Sequence, residues 1–156
     1  MNNFLIISIT IITSILLTMV TFALGSFAPD WILLTMVYWI LALPKNTHLY
    51  TSWFVGLLAD VAYGSILGVN ALTFTIVGYL IIRAYKFFRY LTIYQQTILI
   101  FLLLIVKETF NLWINMILKI NDYSYGDHYW KTITSALVWP AIFYGLRSIR
   151  RKYNVI

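Results

Sequence analysis

The sequence predicts an all-α integral membrane protein, a bundle of six transmembrane segments of which two are short. Of its 156 residues, 62% are hydrophobic and only 10% are charged, whereas about 25% are charged in a typical soluble domain. Six apolar stretches follow one another with short connectors, which leaves no room for a soluble domain. The chain also has no cysteine, which excludes disulfides and thiolate metal sites. We therefore expect one transmembrane domain over residues 1–156.

The apolar stretches differ in length. They are Phe4 to Leu24, Trp31 to Leu43, Leu49 to Ala62, Ile66 to Ile82, Ile93 to Leu118 and Trp130 to Leu146. A hydrocarbon core about 30 Å thick needs about 20 helical residues, so the first and fifth stretches span it easily and the second and third are short. The short pair either thins the bilayer or forms a re-entrant hairpin. We expect the first stretch to be a retained transmembrane segment and not a cleaved signal peptide, because it is longer than a signal-peptide core and no basic residue precedes it.

The basic residues predict the orientation. With a cytoplasmic N-terminus and six crossings, eight bases fall on the cytoplasmic side and two on the other. The cytoplasmic set is Lys45, Arg83, Lys86, Arg89, Arg147, Arg150, Arg151 and Lys152, and the opposite set is Lys119 and Lys131. This positive-inside bias predicts that both termini are cytoplasmic. The same bias explains the net charge of +6, because basic residues at cytoplasmic helix ends set the topology and are attracted to anionic lipid headgroups. No nucleic-acid partner is therefore expected.

Asp60 is the acid inside the most apolar part of the chain. On a helix, Gly56, Asp60 and Gly64 recur every fourth residue, which places them on one face, and Gly68 continues the small-residue spacing beyond the turn. An acid at such a position has to be paired or turned away from lipid. Asp60 therefore either caps the fourth helix or forms an intramembrane pair, with ligand contact as a lesser alternative.

Polar residues also interrupt the fifth stretch. Lys107 and Glu108 are adjacent and point about 100° apart on a helix, which predicts separate partners rather than a simple local salt bridge. Glu108 begins a polar stripe that continues through Asn111, Asn115 and Lys119 and should face protein or water. Asp60 and Lys107 lie roughly 16 and 21 Å from the cytoplasmic ends of their helices, depths that permit them to pair.

No catalytic or cofactor constellation is evident. His48 and His128 belong to connectors predicted on opposite sides, and neither is accompanied by a metal-binding motif. The glycines near Gly64 lack the lysine and the preceding strand of a phosphate-binding loop. We expect no metal, no cofactor and no enzymatic activity.

Several segments carry a resemblance to a known family. These are PDWILLTMVYWILALP from Pro29 to Pro44, the spaced run of Gly56, Asp60, Gly64 and Gly68, YLIIRAYKFFRYLTIYQQ from Tyr79 to Gln96, and the pair Trp139 and Pro140. In this order and over nearly the whole chain, they resemble the MreD family of rod shape-determining proteins. The resemblance implies an inner-membrane scaffold of the cell-elongation machinery. Its implied partners are MreC, the MreB filament system, RodA and a penicillin-binding protein.

The same family resembles, at fold level, the S-components of energy-coupling-factor transporters. This resemblance suggests a small-molecule-binding transporter subunit as the alternative function. Because fold alone does not imply transport, it is not the main interpretation. An outward cavity lined by Asp60 and the Glu108 stripe would favour that alternative, and a filled core with an apolar outer groove would favour the scaffold. For the scaffold, we expect the stripe to make internal contacts and the face of Gly56, Gly64 and Gly68 to meet MreC.

Overall fold

The computed structural model describes residues 3–43, 49–118 and 125–153, and this part of the chain forms six α-helices without a strand. The helices are α1 (Asn3–Thr21), α2 (Trp31–Ala42), α3 (Leu49–Tyr63), α4 (Val69–Phe88), α5 (Ile93–Ile117) and α6 (Tyr125–Lys152). A short 3-10 helix (Phe22–Phe27) joins α1 to α2. In the described residues, α1, α4 and α5 are long and apolar enough to cross a membrane. The predicted all-α membrane class is confirmed.

Helix α2 is short because it is the core of the bundle. Its 12 residues correspond to about 18 Å, and all nine residues from Ile32 to Ile40 are buried. A helix that is apolar on every side is stable only when protein or lipid surrounds it. Here it is protein, since α2 packs against α1, α3, α4 and α6. Asp30 caps its first turn, and the Leu43 amide donates to the Trp39 carbonyl at its end.

Helices α3 and α4 form a tightly packed hairpin. A Cβ on Gly56 would overlap the backbone of Ala71, and one on Gly78 would overlap the side chain of Ser52. Helix α3 ends at Tyr63, and Gly64 follows with φ +65°. Because this left-handed conformation favours glycine and ends helices, the predicted single helical face through Gly56, Asp60 and Gly64 is wrong at Gly64.

The observed helices extend beyond some of the predicted stretches. Helix α4 runs on to Phe88 and α6 to Lys152, past the predicted ends at Ile82 and Leu146. Hydropathy identifies the apolar part of a helix, whereas backbone hydrogen bonding continues through the basic residues that follow. Pro140 lies within α6, where neighbouring helices can accommodate the missing hydrogen bond.

Candidate functional site

A buried cluster of charged and polar side chains centres on Asp30, at the start of α2. Asp30 is 1% exposed. Its Oδ1 accepts hydrogen bonds from the Tyr63 hydroxyl at 2.6 Å and from the Leu33 amide at 3.2 Å. Its Oδ2 accepts from Lys107 Nζ at 3.0 Å. One carboxylate thus links α2, α3 and α5.

Lys107 and Glu108 form the second part of the cluster. Lys107 Nζ lies 3.0 Å from Asp30 Oδ2 and 2.9 Å from Glu108 Oε1. All three side chains are buried. The expectation that Lys107 and Glu108 do not bond each other is wrong, because the flexible lysine stem brings the ammonium back to its neighbour. Lys107 also has a partner on another element, as expected, but that partner is Asp30 and not Asp60.

Helix α6 contributes to the same cluster from the opposite side. Lys131 Nζ lies over the Tyr63 ring at 4.1 Å from its centroid, a cation–π geometry. The Asp30 amide donates to Ser135 Oγ at 2.8 Å, and that hydroxyl donates to the Lys131 carbonyl at 2.6 Å. With Asp30 and Glu108 as anions and Lys107 and Lys131 as cations, the cluster is electrically neutral. A neutral set lowers the cost of burying these charges.

Asp60 forms a separate site between α3 and α4. Its carboxylate is fully buried and accepts five hydrogen bonds, all from neutral groups. The donors are Ser65 Oγ, the backbone amides of Gly68, Asn70 and Ala71, and the Asn70 side-chain amide, at 2.8–3.3 Å. The carboxylate therefore satisfies the amides at the start of α4. Of the two main alternatives, the structure supports capping, and the permitted pair with Lys107 does not form.

The remaining predicted site residues lie in different surroundings. Gly56 contacts α4 within the hairpin, so the expectation that it meets a partner is wrong. Gly64 and Gly68 adopt positive φ in the turn, where a Cβ would meet nothing within 4 Å. Asn111 and Asn115 are buried with Glu108, as expected of a stripe that faces protein. Lys119 and His48 lie outside the described residues, as does the side chain of His128.

Sequence reasoning missed Asp30, Tyr63, Lys131 and Ser135. Asp30 lies in the connector between the first two apolar stretches, directly after Pro29. The available signal was its position directly before a long apolar run, where aspartate is a preferred N-cap residue. Nothing in the spacing of Tyr63, Lys131 and Ser135 indicates that they converge on Asp30.

The chemistry of these sites is structural. In the parts of the chain that are described, no three metal-ligating side chains come together. Asp30 and Asp60 accept hydrogen bonds from helix starts, and Lys107 is held between two carboxylates. Such fully engaged groups fix the packing of α2, α3, α4, α5 and α6.

Two of the cavities that the described residues form lie away from these sites, and neither is lined by Asp60 or Glu108. The first, of about 320 Å³, is lined by Tyr38, Leu41, Ala42, Phe88, Arg89, Gln96, Phe143, Arg147 and Arg150. The second is an apolar groove of about 500 Å³ between α1 and α6, with α2 as its floor. Its lining includes Ile6, Ile9, Thr13, Ile142, Gly145 and Ile149.

The helices and the buried ion cluster define a small all-α integral membrane protein whose intramembrane charges are engaged within the bundle. A family model described as rod shape-determining protein MreD matches residues 1–149. The rod shape-determining protein MreD of Haemophilus influenzae is 31% identical over 133 residues, which cover 81% of this chain and 78% of that protein. The chain therefore belongs to the MreD family of rod shape-determining proteins. No solved structure matches, and the likeness to transporter S-components stays a prediction.

Proposed function

We propose that this protein is a non-catalytic scaffold of the cell-elongation machinery in the bacterial inner membrane. In this role it binds MreC and links the MreB filament system to lateral peptidoglycan synthesis by RodA and a penicillin-binding protein. Membership of a rod shape-determining family supports this role. The charge bias of the connectors supports a multi-pass arrangement with both termini in the cytoplasm.

The observation that carries the proposal is the apolar groove between α1 and α6. The exposed Ile9 and Thr13 on α1 face Ile142 and Gly145 on α6 across it. Helices associate in lipid by close packing, for which small residues and an open groove are suited. We assign this groove to the transmembrane helix of MreC, in place of the glycine-rich hairpin, whose Gly56 is already packed against α4.

The alternative of a small-molecule-binding transporter subunit has less support. It required a cavity lined by Asp60 and the Glu108 stripe, and these two carboxylates instead lie buried among internal contacts. Because their lone pairs are engaged with protein groups, a ligand would have to displace those groups at a cost in free energy.

The test compares two exposed isoleucines on α1. Ile9 lines the groove and is 51% exposed, and Ile12 is 56% exposed but does not line it. Ile9→Trp fills the groove, so we expect it to reduce co-purification of MreC from detergent by about tenfold, which corresponds to about 1.4 kcal/mol. Ile12→Trp should leave co-purification unchanged.

Thermal unfolding in detergent is measured for both variants as a control. Each variant should be as stable as the unmodified protein. If Ile9→Trp binds MreC normally while remaining folded, the groove is not the MreC site. If the unmodified protein fails to co-purify with MreC at all, the scaffold proposal itself is wrong. These outcomes separate the location of the interface from its existence.

A further inference from the structure

The basic cavity at one end of the bundle has the features of a ligand site. It lies where α2 and α4 end and α5 begins, with the last turns of α6 as its outer wall. Its volume of about 320 Å³ is at the lower end of the range for small-molecule sites. Three arginines line it, Arg89 from α4 and Arg147 and Arg150 from α6. None of the three has a carboxylate partner among the ion pairs of the described residues.

Two buried polar atoms in this cavity lack a hydrogen-bond partner within the described chain. The Tyr38 side chain is 2% exposed and Gln96 is 8% exposed, and both line the cavity. The Tyr38 hydroxyl and Gln96 Oε1 are the unpartnered atoms. Gln96 Nε2 donates to the carbonyls of Phe88 and Leu91 at 3.0 and 3.3 Å, which fixes the orientation of the amide. Since buried polar atoms are nearly always hydrogen-bonded, these two indicate a ligand with both an acceptor and a donor.

The charges around the cavity indicate the sign of the charge on that ligand. The carboxyl ends of α2 and α4 contribute roughly half a negative charge each, and the start of α5 contributes the opposite. Three arginines outweigh this sum. Guanidinium groups bind phosphate through paired hydrogen bonds, so a phosphate group would satisfy the arginines and accept a bond from Tyr38. Gln96 Oε1 would then need a hydroxyl or ammonium donor on the same ligand.

We propose that this cavity binds the headgroup of an anionic phospholipid that carries a free hydroxyl, as in phosphatidylglycerol. Its phosphate lies between Arg147 and Arg150 and accepts from the Tyr38 hydroxyl, and its glycerol hydroxyl donates to Gln96 Oε1. A lipid fits better than free phosphate because Leu41, Ala42, Phe88 and Phe143 also line the cavity and can contact the start of the acyl chains. The location suits a lipid as well, since the helix ends of a membrane protein meet the headgroup layer.

Native mass spectrometry of the full chain in detergent tests the site. Titration with phosphatidylglycerol and, separately, with phosphatidylcholine of the same acyl chains gives the two dissociation constants. Both lipids carry a phosphate, but the quaternary ammonium of phosphatidylcholine cannot donate to Gln96 Oε1 and is repelled by the three arginines that line the cavity. We therefore expect phosphatidylglycerol to bind at least about tenfold more tightly. Arg147→Gln combined with Arg150→Gln should remove this preference. Inorganic phosphate up to millimolar concentration should not displace the lipid.

Two further variants distinguish a specific binding site from nonspecific electrostatic attraction to a basic surface. Tyr38→Phe keeps the ring contacts with Trp39 and Phe143 and should weaken phosphatidylglycerol binding about threefold to tenfold. The matched control combines Lys86→Gln with Arg151→Gln, two exposed bases at the same end that do not line the cavity. It should bind the lipid normally.

Three results would overturn the proposal. The first is equal binding of the two lipids by the unmodified protein. The second is an equal loss of binding in the control variant and in the Arg147 and Arg150 variant, which would reduce the effect to surface charge. The third is displacement of the lipid by inorganic phosphate at millimolar concentration, which would assign the site to free anions. Thermal unfolding without added lipid should be unchanged in Tyr38→Phe, so that a loss of binding is not a loss of fold.

Discussion

Replacement of Lys107 by methionine removes the cation that contacts both Asp30 and Glu108 and keeps most of the side-chain volume. The neutral cluster of two carboxylates and two ammonium groups would then carry one excess negative charge. Removal of one partner from a buried ion pair costs about 3 to 5 kcal/mol, because the other charge is left buried. Lys131 stays near the cluster, over the Tyr63 ring. We therefore expect a loss of about 3 kcal/mol in the free energy of unfolding.

Equilibrium unfolding in mixed detergent micelles measures this change. Lys86→Met is the matched control, because Lys86 lies exposed in the last turn of α4, and its effect should stay within about 0.5 kcal/mol. Adding Asp30→Asn to Lys107→Met removes one of the two carboxylates that contact Lys107, and with it the excess negative charge, so the double variant should be more stable than Lys107→Met alone. A loss below about 1 kcal/mol for Lys107→Met, or simple additivity in the double variant, would refute the ion-cluster argument.

Three further predictions follow from the fold. Asp60→Ala should lower the free energy of unfolding by about 1 to 3 kcal/mol, since the buried amides at the start of α4 lose their acceptor. Asp60→Asn keeps one acceptor oxygen and should lower it less. An equal loss for both variants in the same unfolding assay would contradict the capping role. Gly56→Ala should cost about 1 to 3 kcal/mol, because its methyl group overlaps the α4 backbone at Ala71, and a transition as stable as that of the unmodified protein would show that α3 and α4 are packed less closely. A cysteine at Tyr153 in this cysteine-free chain should react with an impermeant maleimide only after the cells are permeabilised, and labelling of intact cells would reverse the proposed orientation.

The apolar stretches predict the helices well because burial in lipid or protein demands the same apolar composition. Helix α2 illustrates what such stretches leave open. Its length identified it as short, but only the packing of its neighbours shows that its nine-residue core meets protein on every side. A stretch that is apolar all round is compatible with either surrounding.

The candidate site was less predictable, for reasons that particular residues make clear. The angular argument about Lys107 and Glu108 describes where their Cβ atoms point, but a four-carbon stem lets the ammonium reach a neighbouring carboxylate. The spacing of Gly56, Asp60 and Gly64 defines one face only while the helix continues, and the positive φ of Gly64 ends it. Asp30 was overlooked because an acid after a proline also suits a solvated turn.

Asp30 and Asp60 meet the same physical requirement, which is to supply a hydrogen-bond acceptor for the first amides of a buried helix. The first turns of α2 and α4 are both buried, so the amides there need acceptors within the protein. A buried aspartate accepts from each first turn: Asp30 bonds the Leu33 amide of α2, and Asp60, near the end of α3, bonds the Asn70 and Ala71 amides of α4. Their surroundings then diverge. The Asp60 carboxylate is satisfied by five neutral donors.

The Asp30 carboxylate takes only one backbone amide at the start of α2, and Lys107 and Tyr63 supply its remaining contacts. The cation that pairs with this capping carboxylate comes from the middle of α5. That cation in turn bonds Glu108, and Lys131 on α6 lies over the ring of Tyr63, whose hydroxyl donates to Asp30. The need to begin a short helix inside the bundle therefore joins α2, α3, α5 and α6 at one place. The residues of this cluster do not line the open groove between α1 and α6 that we assign to MreC, so the contacts that hold the bundle together leave that groove open.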